Sequence, residues 1–213
     1  MSSSIAGISI PDSKLARAAT ELVRDCATPL LFHHSSRVYY FGALTGVGQR
    51  RAFDPELLYV GAMFHDLGLT KKYASANDRF EVDGANAAAS FLRSHGIGQE
   101  AIDVVWDAIA LHTTPGIPEH KKSEVALVLA GVEMDVVGLG FSNVPEDARA
   151  QVVQAHPRGA SFKQDIIGAF YEGIRHKPDT TFGNIKADVL ARMDPQFVRR
   201  DFCDIILNSA WPS

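Results

Sequence analysis

The sequence predicts an all-α protein. Apolar residues recur at helical spacing through most of the chain, and the segments they define open or close on recognisable caps. No run of alternating β-branched residues is long enough to argue a sheet. At 213 residues, 46% hydrophobic and 22% charged, the composition suits a globular domain that can bury a sizeable core. Length predicts one helical domain over 13–213, a bundle of roughly nine helices, preceded by a flexible arm of small and polar residues over 1–12.

The first helix is expected over 12–27, where Leu15, Ala18, Ala19, Leu22, Val23 and Cys26 fall at helical spacing. Thr28-Pro29 opens a second over 30–42, carrying His33, His34 and Arg37, and the glycines around 46–51 predict a loop after it. Asp54-Pro55-Glu56 is a strong start signal: Asp as the cap, Pro in the first helical position, Glu in the first turn. The segment it opens, 57–69, is apolar or glycine at every position except His65 and Asp66, so it belongs in the core, with Gly68 as its stop.

A charged stretch over 71–79 should lie at the surface, near the mouth of any pocket. Phe80-Glu81-Val82-Asp83-Gly84 then leads into a small-residue helix over 85–95 that Gly96 ends. A further helix over 99–113 stops at Thr114-Pro115-Gly116, with His112 near its end. The very apolar helix over 123–137 contains Asp135, and Asn143-Val144-Pro145-Glu146 opens a helix reaching 154. Amphipathic helices over 161–176 and 182–193 follow, and Asp194-Pro195 is expected to start the last, to 209.

A formal charge of −4 gives no footprint for nucleic acid or an anionic membrane. Cys26 and Cys203 make neither a disulfide framework nor a zinc-finger spacing, and both are expected as small buried residues. Without a basic segment leading into an apolar run, or about 18 consecutive apolar residues, a cytoplasmic protein is expected.

Three polar features sit where an apolar helix should not carry them: His34, the His65-Asp66 pair, and Asp135 among Val132, Met134, Val136 and Val137. A buried ionised carboxylate needs a cation or several donors. A divalent metal accepts both a neutral imidazole and a carboxylate.

The pattern of a His, an adjacent His-Asp and a distant Asp resembles the HD-domain superfamily of metal-dependent hydrolases. The string His34-Ser35-Ser36-Arg37-Val38 is similar to the HSxRV form of the family's first motif, which favours His34 over its neighbour His33. The resemblance implies that His34, His65, Asp66 and Asp135 bind one divalent metal in a helical core, zinc first, with iron or manganese as alternatives. A closer similarity is to the cyanamide hydratase-like branch, carried by 29–42, by Phe64-His65-Asp66-Leu67-Gly68-Leu69-Thr70, by 79–85 and by 108–113. It implies zinc-dependent addition of water to the nitrile of cyanamide, giving urea.

On that reading His112 is the acid-base group beside Asp66, with a structural cap or a further metal ligand as its other two roles. Arg37, Thr70, Glu81 and His33 are the candidate substrate contacts. The alternative is a phosphohydrolase acting on a nucleotide or other phosphomonoester, whose cations would come from Arg37, Lys71, Lys72 and Arg79. Leu69 stands where many phosphohydrolase relatives carry a lysine after the pair, which counts against it. A di-iron oxygenase would need more histidines than His95, His112 and His120 supply between the pair and Asp135. The expected partner is a small-molecule substrate, with no nucleic acid and no membrane; a homo-oligomer is compatible with the sequence.

Overall fold

Thr28 starts the helix on which the others pack. In the computed structural model, which describes residues 4–181 and 185–212, its hydroxyl accepts from the Leu31 N–H at 3.3 Å. Pro29 fills the first helical position, where a missing N–H costs nothing, and α2 runs Pro29–Gly48. This helix outruns its expected end, because Gly42 and Gly46 lie inside it rather than in a loop. A Cβ on Gly42 would stand 2.5 Å from the Leu127 carbonyl oxygen of α6 (Ser123–Val137), and one on Gly46 would press on Phe53 and Leu127. On α6, Gly131 does the same against the Val38 carbonyl. These glycines bring two backbones together; they do not turn one.

α3 (Pro55–Phe64) begins as expected, the Asp54 carboxylate accepting from the Glu56 and Leu57 N–H groups at 2.8 and 3.1 Å. Every residue from Leu58 to Phe64 is buried. The helix ends at Phe64, before Gly68, and a 3₁₀ turn spans Leu67–Leu69. Gly68 is needed there because a Cβ would overlap the Phe80 carbonyl oxygen of α4 (Phe80–Ser94). α4 starts earlier than the small-residue pattern suggests, so Glu81 and Asp83 sit in its first turn. α5 (Gln99–Ala110) ends early and leaves His112 in the turn beyond it.

α1 (Lys14–Cys26) is capped by Ser13, which accepts from the Ala16 N–H at 2.9 Å, while Asp12 pairs with Arg17. The stretch read as a loose arm is anchored over its described part. Ile5, Ile8 and Ile10 pack on the core, and the Tyr39 hydroxyl donates to the Ser9 carbonyl at 2.8 Å.

The C-terminal elements are α7 (Glu146–Ala155), α8 (Phe162–Ile174), α9 (Ile185–Met193) and α10 (Phe202–Leu207). The expected start of α9 at 182 lies outside the described residues. Pro195 starts no helix; Asp201 does, accepting from the Asp204 N–H at 3.1 Å. Among the described residues there are ten α-helices, only the last shorter than nine residues, and no strand beyond one isolated bridge, Ile5 to Ile8. No helix among them is long and apolar enough to cross a membrane. Cys203 is exposed and Cys26 half-buried, so neither is the fully buried residue expected.

A main core joins α1 to α6, and a second cluster of Leu31, Val136, Phe162, Ile166 and Ile206 seats α8 and α10 on α2 and α6. α8 also lies tight on the 3₁₀ turn: a Cβ on Gly173 would be 2.5 Å from the Leu69 Cδ2. Just beyond α8, the buried Lys177 ammonium donates to the Asp83 carboxylate at 2.6 Å. The C-terminal third is thereby tied to the start of α4 and covers the polar corner of the core.

Candidate metal centre

His34 lies in the second turn of α2 and is fully buried. His33, one residue earlier, is rotated about 100° around the helix. It packs half-buried against Phe32 and His156, each 5.7 Å between centroids, and so does not join the site. His65 closes α3 with Asp66 beside it, and His112 follows α5; all three are buried.

Each of the three imidazoles spends its Nδ1 in the same way. His65 Nδ1 donates to the Ala62 carbonyl at 2.7 Å, and His112 Nδ1 to the Ile109 carbonyl at 2.6 Å. His34 Nδ1 meets Asp135 Oδ2 at 2.7 Å. Carbonyls and carboxylates only accept, so Nδ1 carries a proton, and in the neutral imidazole each Nε2 keeps a lone pair. His34 Nε2 and His65 Nε2 face each other at 3.2 Å. Asp66 Oδ2 lies 3.2 Å from His65 Nε2 and 3.5 Å from His34 Nε2.

Two lone pairs and an anionic oxygen at these separations repel one another. Neither oxygen of Asp66 nor the His112 Nε2 has a hydrogen-bond partner, although all three are buried. Donor atoms bonded to a tetrahedral ion at about 2.0–2.1 Å stand roughly 3.4 Å apart. The separations within the His34, His65 and Asp66 trio match that spacing, and the three donor atoms form a group able to hold a metal ion. His112 Nε2 stands next to the trio, 3.6 Å from Asp66 Oδ1.

Asp135 does not reach this point, which corrects its expected place among the ligands. Its Oδ1 accepts from Arg37 Nε at 2.8 Å and Arg158 Nη1 at 2.6 Å. Its Oδ2 accepts from His34 Nδ1 and, at 2.9 Å, from Arg37 Nη2. Four donors fill the four lone-pair positions of the carboxylate. Asp135 stands behind His34, fixing its tautomer and ring orientation as carboxylates behind metal-binding histidines do. Although burial pushes its pKa up, the Arg37 guanidinium, the His34 hydrogen bond and Arg158 hold it far below the usual carboxylate range. Burial of His34 outweighs the pull of Asp135 and lowers the imidazole pKa, keeping it neutral.

The remaining expected contacts divide. Arg37 is not free for a substrate: beyond Asp135, its Nη1 donates to the His156 and Pro157 carbonyls at 3.0 and 2.9 Å. Thr70 is buried, but its hydroxyl donates to the Leu67 carbonyl at 2.6 Å and serves the 3₁₀ turn. Glu81 is buried beside His112 and accepts from the Thr113 hydroxyl and, at 2.8 Å, from Arg79 Nη2. Against burial, these donors hold its pKa below the ordinary glutamate value.

Residues with no signal in the sequence complete the surroundings. Phe162 lies 6.0 Å from the His34 ring, Phe80 lies 5.6 Å from His112, and Phe170 backs Phe80 at 5.7 Å. Arg158 and Trp211, far along the chain, close the back of Asp135.

The family model described as the HD domain matches residues 31–155, more than half of the chain, a span that includes His34, His65, Asp66, His112 and Asp135. The chain belongs to the HD-domain family. That membership points to metal-dependent hydrolase activity in general, and HD domains bind divalent metals, as the buried trio here suits. No curated protein matches this HD-domain chain. Arg158, Phe162 and the α8 cover lie outside the matched span.

Proposed function

We propose that this HD-domain protein adds water to the nitrile carbon of a small neutral substrate of the cyanamide type, giving urea. One observation carries the reading: the donor trio is fully buried beneath aromatic side chains, and no cation that a phosphate would need is placed at it. Arg37 and Arg158 bond Asp135, the latter through Nη1 alone, Lys177 is on Asp83, Arg79 is on Glu81, and Lys71 and Lys72 are exposed at the surface. A phosphoester would bring at least one charge into that space, where among the described residues no lysine or arginine makes an ion pair with the trio.

His34 Nε2, His65 Nε2 and Asp66 would hold the ion, and this imidazole-rich set suits zinc. When bound there, a divalent ion supplies Lewis acidity that lowers the pKa of water toward about 7. His112 is placed to move the proton. Its Nδ1 is tied to Ile109, so Nε2 is the atom that takes a proton from the attacking water and returns it to the nitrile nitrogen. The water oxygen bonds to carbon as one C–N π bond opens, giving isourea; its hydroxyl proton then moves to the imino nitrogen as the C=O forms, so both water hydrogens end on that nitrogen of urea. Glu81, aligned by Thr113 and Arg79, accepts the amino hydrogens of the substrate.

The test is direct. Purified protein is analysed for metal by elemental analysis and assayed for urea release from cyanamide beside phosphate release from a nucleotide panel. Zinc with urea release is the expected result. Phosphate release without urea overturns the reading in favour of a phosphomonoester substrate.

A further inference from the structure

The ion-binding trio has no way in as the structure stands. His34 and His65 are 0% exposed, and Asp66 and the neighbouring His112 2%. Behind His34 the space is filled by Asp135 and the two guanidiniums bonded to it. An ion, water and a substrate reach such a site only when part of its cover moves.

One face of the first turn of α4 is pressed on the site. A Cβ on Gly84 would stand 3.1 Å from the His65 carbonyl oxygen, the Phe80 ring lies 5.6 Å from His112, and Glu81 is buried beside it. Val82 points the opposite way around the helix, into the wall of a cleft of about 570 Å³ between the segments 76–79 and 176–180. Arg79 belongs to both sides: it lines the cleft, and its Nη2 donates to Glu81 at 2.8 Å. A single turn of helix separates the cleft from the metal corner.

Both lips of that cleft are held by one oxygen. Asp83 Oδ2 accepts from the Ser75 N–H at 2.9 Å, at the root of one lip, and from Lys177 Nζ at 2.6 Å, in the other. The pair is buried, Asp83 being 7% and Lys177 3% exposed, and a charge-assisted bond is strong in such surroundings. Lys177 lies just beyond α8, whose Phe170 covers Phe80 at 5.7 Å and whose Gly173 lies against Leu69. Phe80 in turn covers His112, and the Leu69 N–H donates to the Asp66 carbonyl at 3.0 Å.

We propose that the cleft is the entrance to the metal centre and the Lys177–Asp83 pair its latch. With that bond released, the end of α8 lifts from Phe80 and Leu69, and ion, water and substrate pass from the cleft to the trio. The latch presupposes the ion of the proposed centre and is independent of which substrate is used.

Zinc is the probe, added to the full chain and withdrawn by a coloured chelator, with the rates of uptake and release both recorded. Lys177→Met should speed both by at least about tenfold, the factor one charge-assisted hydrogen bond lends to an opening equilibrium, and leave the equilibrium affinity unchanged. A site merely weakened would release zinc faster without taking it up faster. Lys163→Met removes another buried lysine of α8, bonded to the Leu207 and Ser209 carbonyls; it controls for loosened packing and should leave both rates as they are. A bulky maleimide on Asn77→Cys, in a chain with Cys26→Ser and Cys203→Ser, should slow both rates. The same label on the exposed Cys203 of the Cys26→Ser chain should not. Unchanged rates in Lys177→Met, equal acceleration in Lys163→Met, or an Asn77 label that slows nothing overturns the entrance. A failed latch leaves the cyanamide reading standing, and the expected rates without urea release overturn that reading alone. A chain that takes up no zinc overturns both.

Discussion

Asp135→Asn keeps the volume of the side chain and removes its charge. The carboxylate accepts four N–H donors, two at each oxygen. An amide can place its oxygen on one side only, so its NH₂ must face either Arg37 Nε and Arg158 Nη1 or His34 Nδ1 and Arg37 Nη2. Two charge-assisted hydrogen bonds are lost in either orientation, at roughly 1.5–3 kcal/mol each. That sum agrees with the roughly 3–5 kcal/mol cost of removing one partner from a buried ion pair. In a chain of this size each kcal/mol moves the melting temperature by roughly 2–4 °C, so a fall of about 6–20 °C is expected. The ion's own donors are untouched, but His34 loses the acceptor that fixes its tautomer, and metal affinity should drop by roughly 10–100-fold. The assay has two parts: urea unfolding of chelator-treated protein for stability, and metal titration of refolded protein for affinity, with Asp66→Ala alongside. Asp66→Ala should lose metal outright with a smaller loss of metal-free stability. If Asp135→Asn instead keeps its metal-free stability and loses metal as completely as Asp66→Ala, Asp135 ligates the ion directly and its place behind His34 is wrong.

His112→Ala should retain metal by elemental analysis and lose urea release by roughly 10²–10⁴-fold, the usual contribution of a positioned acid-base group; loss of metal would make His112 a ligand. Gly42→Ala places a Cβ 2.5 Å from the Leu127 carbonyl oxygen, and forcing α2 from α6 should cost about 1–3 kcal/mol by chemical unfolding despite the better helix propensity of Ala. Gly48→Ala, at the exposed end of α2 with open space around it, is the control and should be neutral or stabilising by up to about 1 kcal/mol. Burial, helped by His33 and Arg37, lowers the His156 pKa from 6.5 to about 4, so between these values the unfolded chain binds the proton more readily. Stability is then full above pH 6.5 and declines as the pH falls toward 4, and His156→Phe should flatten that decline in melts taken from pH 7.5 to 4.5.

How far the sequence could be read follows from the range over which each feature is determined. Asp54 and Pro55 act on N–H groups within the next turn, so the start of α3 was legible from three adjacent letters. Gly42, Gly46 and Gly68 look like breakers locally but are ordinary helix or turn residues. Their reason lies on α6 or α4, and nothing nearby in sequence distinguishes close approach from a bend. The same distinction divides the site. His34, His65, Asp66 and His112 are polar side chains at positions an apolar helix or its end should bury, and that conflict is visible in a string of letters. What each one does is not. A buried carboxylate needs a cation, which makes Asp135 a candidate ligand in the sequence; in the structure the cations beside it are two guanidiniums. Arg37 and Arg158, with His34 Nδ1, fill the acceptor positions of the acid, and Arg158 comes from the link between α7 and α8, with no motif, 23 residues further on. A sequence can therefore show that a buried charge must be compensated, while the partner that compensates it is chosen by packing. At this site that choice sets one carboxylate behind His34 of the buried trio, as a hydrogen-bond acceptor for its Nδ1.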